Sequence, residues 1–241
     1  MDRWLFVHVM KTAGTSFRSM LETSFAAEIY PTREELAEHP RRWYPTAPEL
    51  LERIASGRVD LSNRRFLCGH YSANLTDHLA DPWRAMTFMR DPVRRSLSMI
   101  AHRHAKASRF NRFIKPNITK YLDRPDFVER QIRNYQTKVF AIDGTADVNL
   151  PHALDDAAFA RARTRLLSMD FVGLTEQFAA SIALYERLAG VKFAGLPHAN
   201  KSPRYSATDA EIARIRELVP YDIELYALAQ EKLRAQMAAA A

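Results

Sequence analysis

The chain has 241 residues, 47% of them hydrophobic, which is enough for a sizeable core in one large α/β domain or two small ones. Its net charge of +7 suits an anionic partner: nucleic acid, an anionic surface or an anionic cofactor. There is no apolar run of about 18 residues and no secretory-signal pattern, so a soluble, cytoplasmic protein without a transmembrane segment is expected; the single cysteine, Cys68, offers neither an intrachain disulfide nor a zinc cluster.

Residues 4–9 read as a buried strand, 10–15 as a loop and 16–26 as a helix. The loop runs Lys11, Thr12, Ala13, Gly14, Thr15, Ser16. A tight turn and the first turn of a helix carry N–H groups with no intrahelical partner, and the helix dipole favours an anion there. Thr12, Thr15 and Ser16 add hydroxyls, and Lys11 adds a mobile cation. The ATPase P-loop places its Lys after the second glycine. Here Lys11 precedes Gly14, so the loop suits a phosphate-like group without matching that pattern. The alternative is a capped helix start.

Residues 31–48 hold four prolines around Trp43 and Tyr44, an excursion that suits a lid. A helix at 48–56, a strand at 65–69 and a helix around 74–81 follow. Strand 85–89 leads through Arg90 and Asp91 to Pro92, which suits the first turn of a helix running to about 106. Residues 107–125 read as basic and irregular, 126–140 as a helix and 141–153 as a loop. A helix at 155–168, a strand at 170–173 and helices at 176–189, 208–218 and 221–238 complete the chain. The Ala-rich tail 235–241 reads as a fraying helix end.

Strands alternating with helices predict a P-loop-like three-layer α/β fold with a central, mainly parallel sheet. With no linker and no repeat, residues 1–241 form a single domain in this reading. Ligands of such sheets bind at the carboxyl ends of strands, and Lys11, His70 and Arg90 each follow a predicted strand end.

Six segments taken in order resemble one family. They are Val9 to Phe17, Phe66 to His70, Met86 to Ser98, Asn134 to Phe140, Phe171 to Phe178 and Pro197 to Arg204. Together they resemble the sulfotransferases that use 3′-phosphoadenosine 5′-phosphosulfate (PAPS), in the branch of the heparan sulfate 2-O- and 6-O-sulfotransferases and their small bacterial relatives. The resemblance implies a sulfuryl transfer from PAPS to a hydroxyl of a carbohydrate or glycolipid, with 3′-phosphoadenosine 5′-phosphate (PAP) as product and no metal required. It implies Lys11 at the leaving oxygen and residues Thr12, Ala13, Gly14, Thr15 and Ser16 around the 5′-phosphate. It implies Arg90 and Ser98 at the 3′-phosphate, His70 as general base, and a loop of Asn200, Lys201 and Ser202 closing on the nucleotide.

Other residues stay open. Asn134, Gln136 and Lys138 suit either the cofactor or a polar helix face, and His102 and His104 either an anionic acceptor or a solvated helix. Trp43, Tyr44 and Trp83 suit an acceptor ring or the core. Asp91 suits a helix cap, and Arg94 and Arg95 suit the surface or ion pairs. The rival functions are a P-loop kinase or nucleotidase, disfavoured by the displaced lysine and the absence of an evident Mg²⁺-holding acidic strand end, and a non-catalytic polyanion binder. No nucleic-acid pattern of interleaved aromatic and basic residues is evident.

Overall fold

A computed structural model describes residues 2–39, 44–107, 110, 114–195 and 206–240. The first strand, β1 (Trp4–Val7), is wholly buried, as an apolar run in a sheet covered on both faces should be. It is followed by α1 (Gly14–Phe25), β2 (Ile29–Tyr30), α2 (Arg33–Glu38), α3 (Ala47–Ala55), β3 (Phe66–Gly69) and β4 (Arg84–Met89). Then come α4 (Pro92–Ala107), α5 (Ile118–Leu122), α6 (Pro125–Gln131), α7 (Tyr135–Ala141) and α8 (Asp156–Ser168). The chain closes with β5 (Phe171–Leu174), α9 (Phe178–Ala189), α10 (Asp209–Leu218) and α11 (Pro220–Ala239).

The five strands are all parallel, in the order β2-β3-β1-β4-β5, with helices flanking the sheet. Val7 of β1 lies opposite Gly69 of β3 on one side and Thr87 of β4 on the other. The chain builds β2 and β3 on one side of β1, then crosses back to build β4 and β5. That reversal is the switch point at which α/β sheets open a crevice. No described helix is long and apolar enough to cross a membrane.

The structure departs from the sequence reading at particular places. Strand β1 ends at Val7, because the chain turns at His8 and the Val9 N–H reaches back to the Val7 carbonyl at 3.1 Å. The excursion after β2 holds α2, started by a reciprocal cap between Thr32 and Glu35. The span 74–81 is only a 3-10 turn, Leu75–His78. The single helix expected at 126–140 is two, α6 and α7, broken at Asn134 with φ +41°. The break has a cause in another helix. The Asn134 side-chain oxygen accepts from the N–H groups of Tyr221 (3.0 Å) and Asp222 (3.3 Å), capping α11. The buried Asp222 carboxylate returns the favour, accepting from Gln136 (3.1 Å) and Thr137 (2.7 Å) at the start of α7.

Phe17 fixes α1 to the sheet. Its fully buried ring lies 4.9 Å from Phe6 and 5.1 Å from Phe88, on the two central strands, and 5.4 Å from Tyr185 of α9. Because Phe17 follows the loop directly, it also sets where the first turn of α1 points. Truncating a buried Phe removes its transfer energy and leaves a cavity. Phe17→Ala is therefore expected to lower stability by about 3–5 kcal/mol in urea denaturation, with Phe17→Leu costing clearly less.

Candidate functional site

The loop between β1 and α1 is unusual backbone. Lys11 (φ +71°) and Ala13 (φ +65°) are both left-handed without being glycine, conformations that cost energy and persist only where the surroundings impose them. Three side chains do the imposing. The Thr12 hydroxyl donates to the Val9 carbonyl at 2.8 Å, Arg95 Nε to the Met10 carbonyl at 3.1 Å, and Arg90 Nη1 to the Lys11 carbonyl at 3.1 Å. In a trans peptide the N–H points opposite to the C=O of the same unit. Drawing three successive carbonyls inward therefore turns the N–H groups of Met10, Lys11 and Thr12 outward. From Met10 to Ser16 no backbone N–H finds an acceptor among the described residues; the first that does is Phe17, bonded to the Ala13 carbonyl at 3.1 Å. A continuous row of donors at a helix start is an anion-binding concavity.

The hydroxyls divide. Thr12 is buried and its hydrogen is committed within the loop, so its side chain is a brace rather than the donor expected. Thr15 is exposed and Ser16 half-buried, and neither hydroxyl is bonded among the described residues. The Lys11 ammonium has no ion pair or hydrogen bond there either. Burial lowers its pKa, helped by the charges of Arg90, Arg95 and Lys106.

Arg90 follows β4 and is held by its backbone. Gln136 accepts from its N–H at 3.1 Å and donates to its carbonyl at 2.8 Å. Its Nε is buried without a hydrogen bond among the described residues, 4.0 Å from a Glu176 oxygen. Asp91 caps α4 as expected, accepting from the Arg94 N–H at 2.8 Å. Arg95 is not a surface residue. It is fully buried, lies 4.0 Å over the Tyr135 ring and also bonds the Gln131 carbonyl, and burial pushes its pKa down to about 10, so it stays charged at neutral pH. Ser98 stands three residues further along α4 and so on the same face, toward the loop. It is 6% exposed, and its Oγ is buried without a partner among the described residues.

His70 follows β3. Its Nδ1 lies 2.7 Å from the His8 carbonyl, and since a carbonyl only accepts, Nδ1 carries the hydrogen and Nε2 the lone pair. Burial pushes its pKa down to about 4, opposed by that hydrogen bond and reinforced by Arg18. The sequence places His8 in the strand 4–9 and does not mark it as a site residue. Its ring lies 4.5 Å from His70 and is stacked 5.4 Å from Phe6, which shares its side of the chain two residues earlier. That spacing was the available signal. Tyr44, from the end of the excursion, sets its ring edge-on at 5.0 Å from His70.

The remaining candidates scatter. Asn134 and Gln136 act on backbone, as described, and Lys138 is buried with its ammonium on the carbonyls of Arg130 (3.0 Å) and Leu150 (3.2 Å). None of the three forms a polar surface face. Burial, followed by the charge of Lys11, pushes the pKa of His102 down to about 4. His104 meets the Tyr121 hydroxyl at 3.4 Å. Trp83 is buried under Arg3 at the amino end of β4, far from the strand ends that carry the loop. Cys68 is a buried thiol whose pKa burial raises to about 12, an inert packed side chain. Acidic groups stand at two strand ends, Asp91 after β4 and Glu176 after β5. A cavity of about 570 Å³ begins at Asp91 and is lined further by Arg94, Leu97, Arg216 and Tyr226; Lys11 and His70 do not reach it. Asn200, Lys201 and Ser202, with Arg204 and Trp43, lie outside the described residues.

His8 and His70 are both held neutral by burial. Their pKa values lie below the ordinary 6.5, so the unfolded chain binds more protons between about 6.5 and 4, and stability is present above that window and lost as pH falls through it. The melting temperature is expected to drop across that range, and His70→Gln to make the drop shallower in parallel scans. No protein-family model and no curated protein matches this chain.

Proposed function

We propose that the protein is a PAPS-dependent sulfotransferase acting on a hydroxyl acceptor. The observation that carries the reading is the row of unpartnered N–H groups from Met10 to Ser16, flanked by the Lys11 ammonium. Around it, three buried polar atoms without partners among the described residues fit a second anionic group: Ser98 Oγ, Arg90 Nε and Arg95 Nη2. Two anion-seeking sets on adjacent strand ends suit a nucleotide with phosphates at both its 5′ and 3′ positions. The ordered resemblance to the PAPS sulfotransferases supports the same choice and alone directs the acceptor toward a carbohydrate or glycolipid.

In this reading the loop N–H groups with Thr15 and Ser16 hold the 5′-phosphate, and Arg90 and Ser98 hold the 3′-phosphate. His70 Nε2 takes the proton of the acceptor hydroxyl as the new oxygen–sulfur bond forms. Lys11 stabilises the charge that gathers on the phosphate oxygen as the old sulfur–oxygen bond breaks, releasing the bisphosphate. Such chemistry depends on positioning and on fixed charge rather than on covalent help from the protein. A His70 pKa lowered to about 4 keeps the imidazole deprotonated at neutral pH but makes it a weaker base than one poised near 7, so the transfer relies on its position against the acceptor.

Titration calorimetry with adenosine 3′,5′-bisphosphate, in buffer without magnesium, is the direct test. Binding is expected, with ATP and AMP weaker, and Arg90→Ala reducing affinity by about tenfold or more, since a charge-assisted contact contributes about 1.5–3 kcal/mol. Ser98→Ala is expected to weaken binding while leaving stability within about 0.5 kcal/mol of the parent, because its hydroxyl is already unpaired. A preference for ATP with magnesium would replace this reading with the kinase one. Once an acceptor is found, His70→Ala should lower turnover about 10²–10⁴-fold with bisphosphate affinity retained.

A further inference from the structure

His8 belongs to neither phosphate set, yet it touches both halves of the site. Its N–H donates to the Gly69 carbonyl at 2.9 Å, and its carbonyl accepts from His70 at 2.7 Å. The residue is 8% exposed, with its Nδ1 buried and unpartnered among the described residues. On one side the ring lies 4.5 Å from His70. On the other it occupies the space above the first residue of α1. A Cβ built on Gly14 would stand 2.0 Å from His8 Cδ2 and 2.1 Å from Nε2, well inside any real contact. Gly14 is thus glycine because of this ring and not because of its backbone conformation, which is not left-handed.

We propose that His8 is a positioning residue that couples the anion loop to the base, its carbonyl choosing the nitrogen of His70 that carries hydrogen and its ring spacing His70 from Gly14. The proposal rests on the reading of the loop as the anion cradle and of His70 as the base. A backbone carbonyl survives any substitution, so the ring's share can be isolated. Without the ring, water reaches His70 and burial no longer holds it neutral. Among the described residues, the charged groups that bear on the two imidazoles are Arg18 from α1 and Lys11 from the loop, with Tyr44 packed against both rings. All of them remain in a His8 variant.

The test uses His8→Ala, His8→Phe, Gly14→Ala and the double variant Gly14→Ala/His8→Ala in the full chain. Imidazole NMR follows the protonation midpoint of His70. It is expected to rise from about 4 by a unit or more toward 6.5 in His8→Ala and to stay near its native value in His8→Phe. An unchanged midpoint in His8→Ala overturns the proposal. Gly14→Ala is expected to weaken bisphosphate binding about tenfold or more through overpacking, and the added His8→Ala to restore most of that loss. A double variant no better than Gly14→Ala also overturns it. Should Gly14→Ala not fold, recovery of a cooperative melt in the double variant supports the steric lock, and no recovery counts against it. The His70 midpoint and the melts are read without nucleotide. Failure of the parent to bind bisphosphate would therefore strike the sulfotransferase reading and leave the lock to be judged separately.

Discussion

The rest of this molecule is arranged around three inward-facing carbonyls. Val9, Met10 and Lys11 each give their carbonyl oxygen to a side chain: the Thr12 hydroxyl, Arg95 and Arg90. Planarity of the peptide unit then turns the following N–H groups outward. A helix start alone offers only the few donors of its first turn. Here the loop extends that row back to Met10. The two left-handed residues are the strain that accompanies the arrangement, of the order of 1–3 kcal/mol each, and they hold because α4 and β4 supply fixed donors. Phe17 secures the other end, joining α1 to the two central strands and to α9.

Charge follows from the same geometry. Arg95 can brace Met10 only from inside the protein, so a guanidinium is buried beside the loop, resting on Tyr135. After burial, the charges of Arg90 and Arg95 lower the pKa of Lys11 further, and that of Arg90 adds to the lowering of Arg95. A site built of mutually repelling cations is destabilised when empty and relieved by an anion, which favours binding beyond what any single contact contributes. The Gln136 side chain, bonded to both backbone groups of Arg90, keeps this arginine from relaxing away. Gln136 is in turn fixed through its own N–H by Asp222, so the reciprocal cap between α7 and α11 reaches the site through two hydrogen bonds.

Much of this was readable from local sequence. The apolar run from Trp4 to Val7, the small residues of the loop and the helical pattern after Phe17 give strand, turn and helix. The order of Lys11, His70 and Arg90 after successive strands gives a shared edge, which the β3-β1-β4 adjacency realises. What escaped depends on partners far along the chain. Nothing near Arg95 announces that its guanidinium goes to Met10, 85 residues away. Asn134 looks like mid-helix sequence until Tyr221 and Asp222 demand a cap from it. His8 looks like strand, because only its contact with Gly14 and His70 shows the chain turning there. Helix propensity likewise could not foresee that Leu75–His78 stops after one turn.

The acids at the strand ends complete the argument. Asp91 follows β4 and Glu176 follows β5, and their recorded hydrogen bonds run to protein donors. An Asp91 oxygen accepts from the Arg94 N–H, one Glu176 oxygen from the Asp91 N–H at 3.3 Å, and the other from the Tyr226 hydroxyl at 2.9 Å. The Glu176 oxygen nearest Arg90 stands 4.0 Å from its Nε, close enough to orient the guanidinium and too far to bond it. These carboxylates therefore act as struts for the cationic edge. A carboxylate that steadies an arginine without neutralising it leaves the guanidinium aimed and still available, which is the condition under which a phosphate is recognised by a fork of N–H groups.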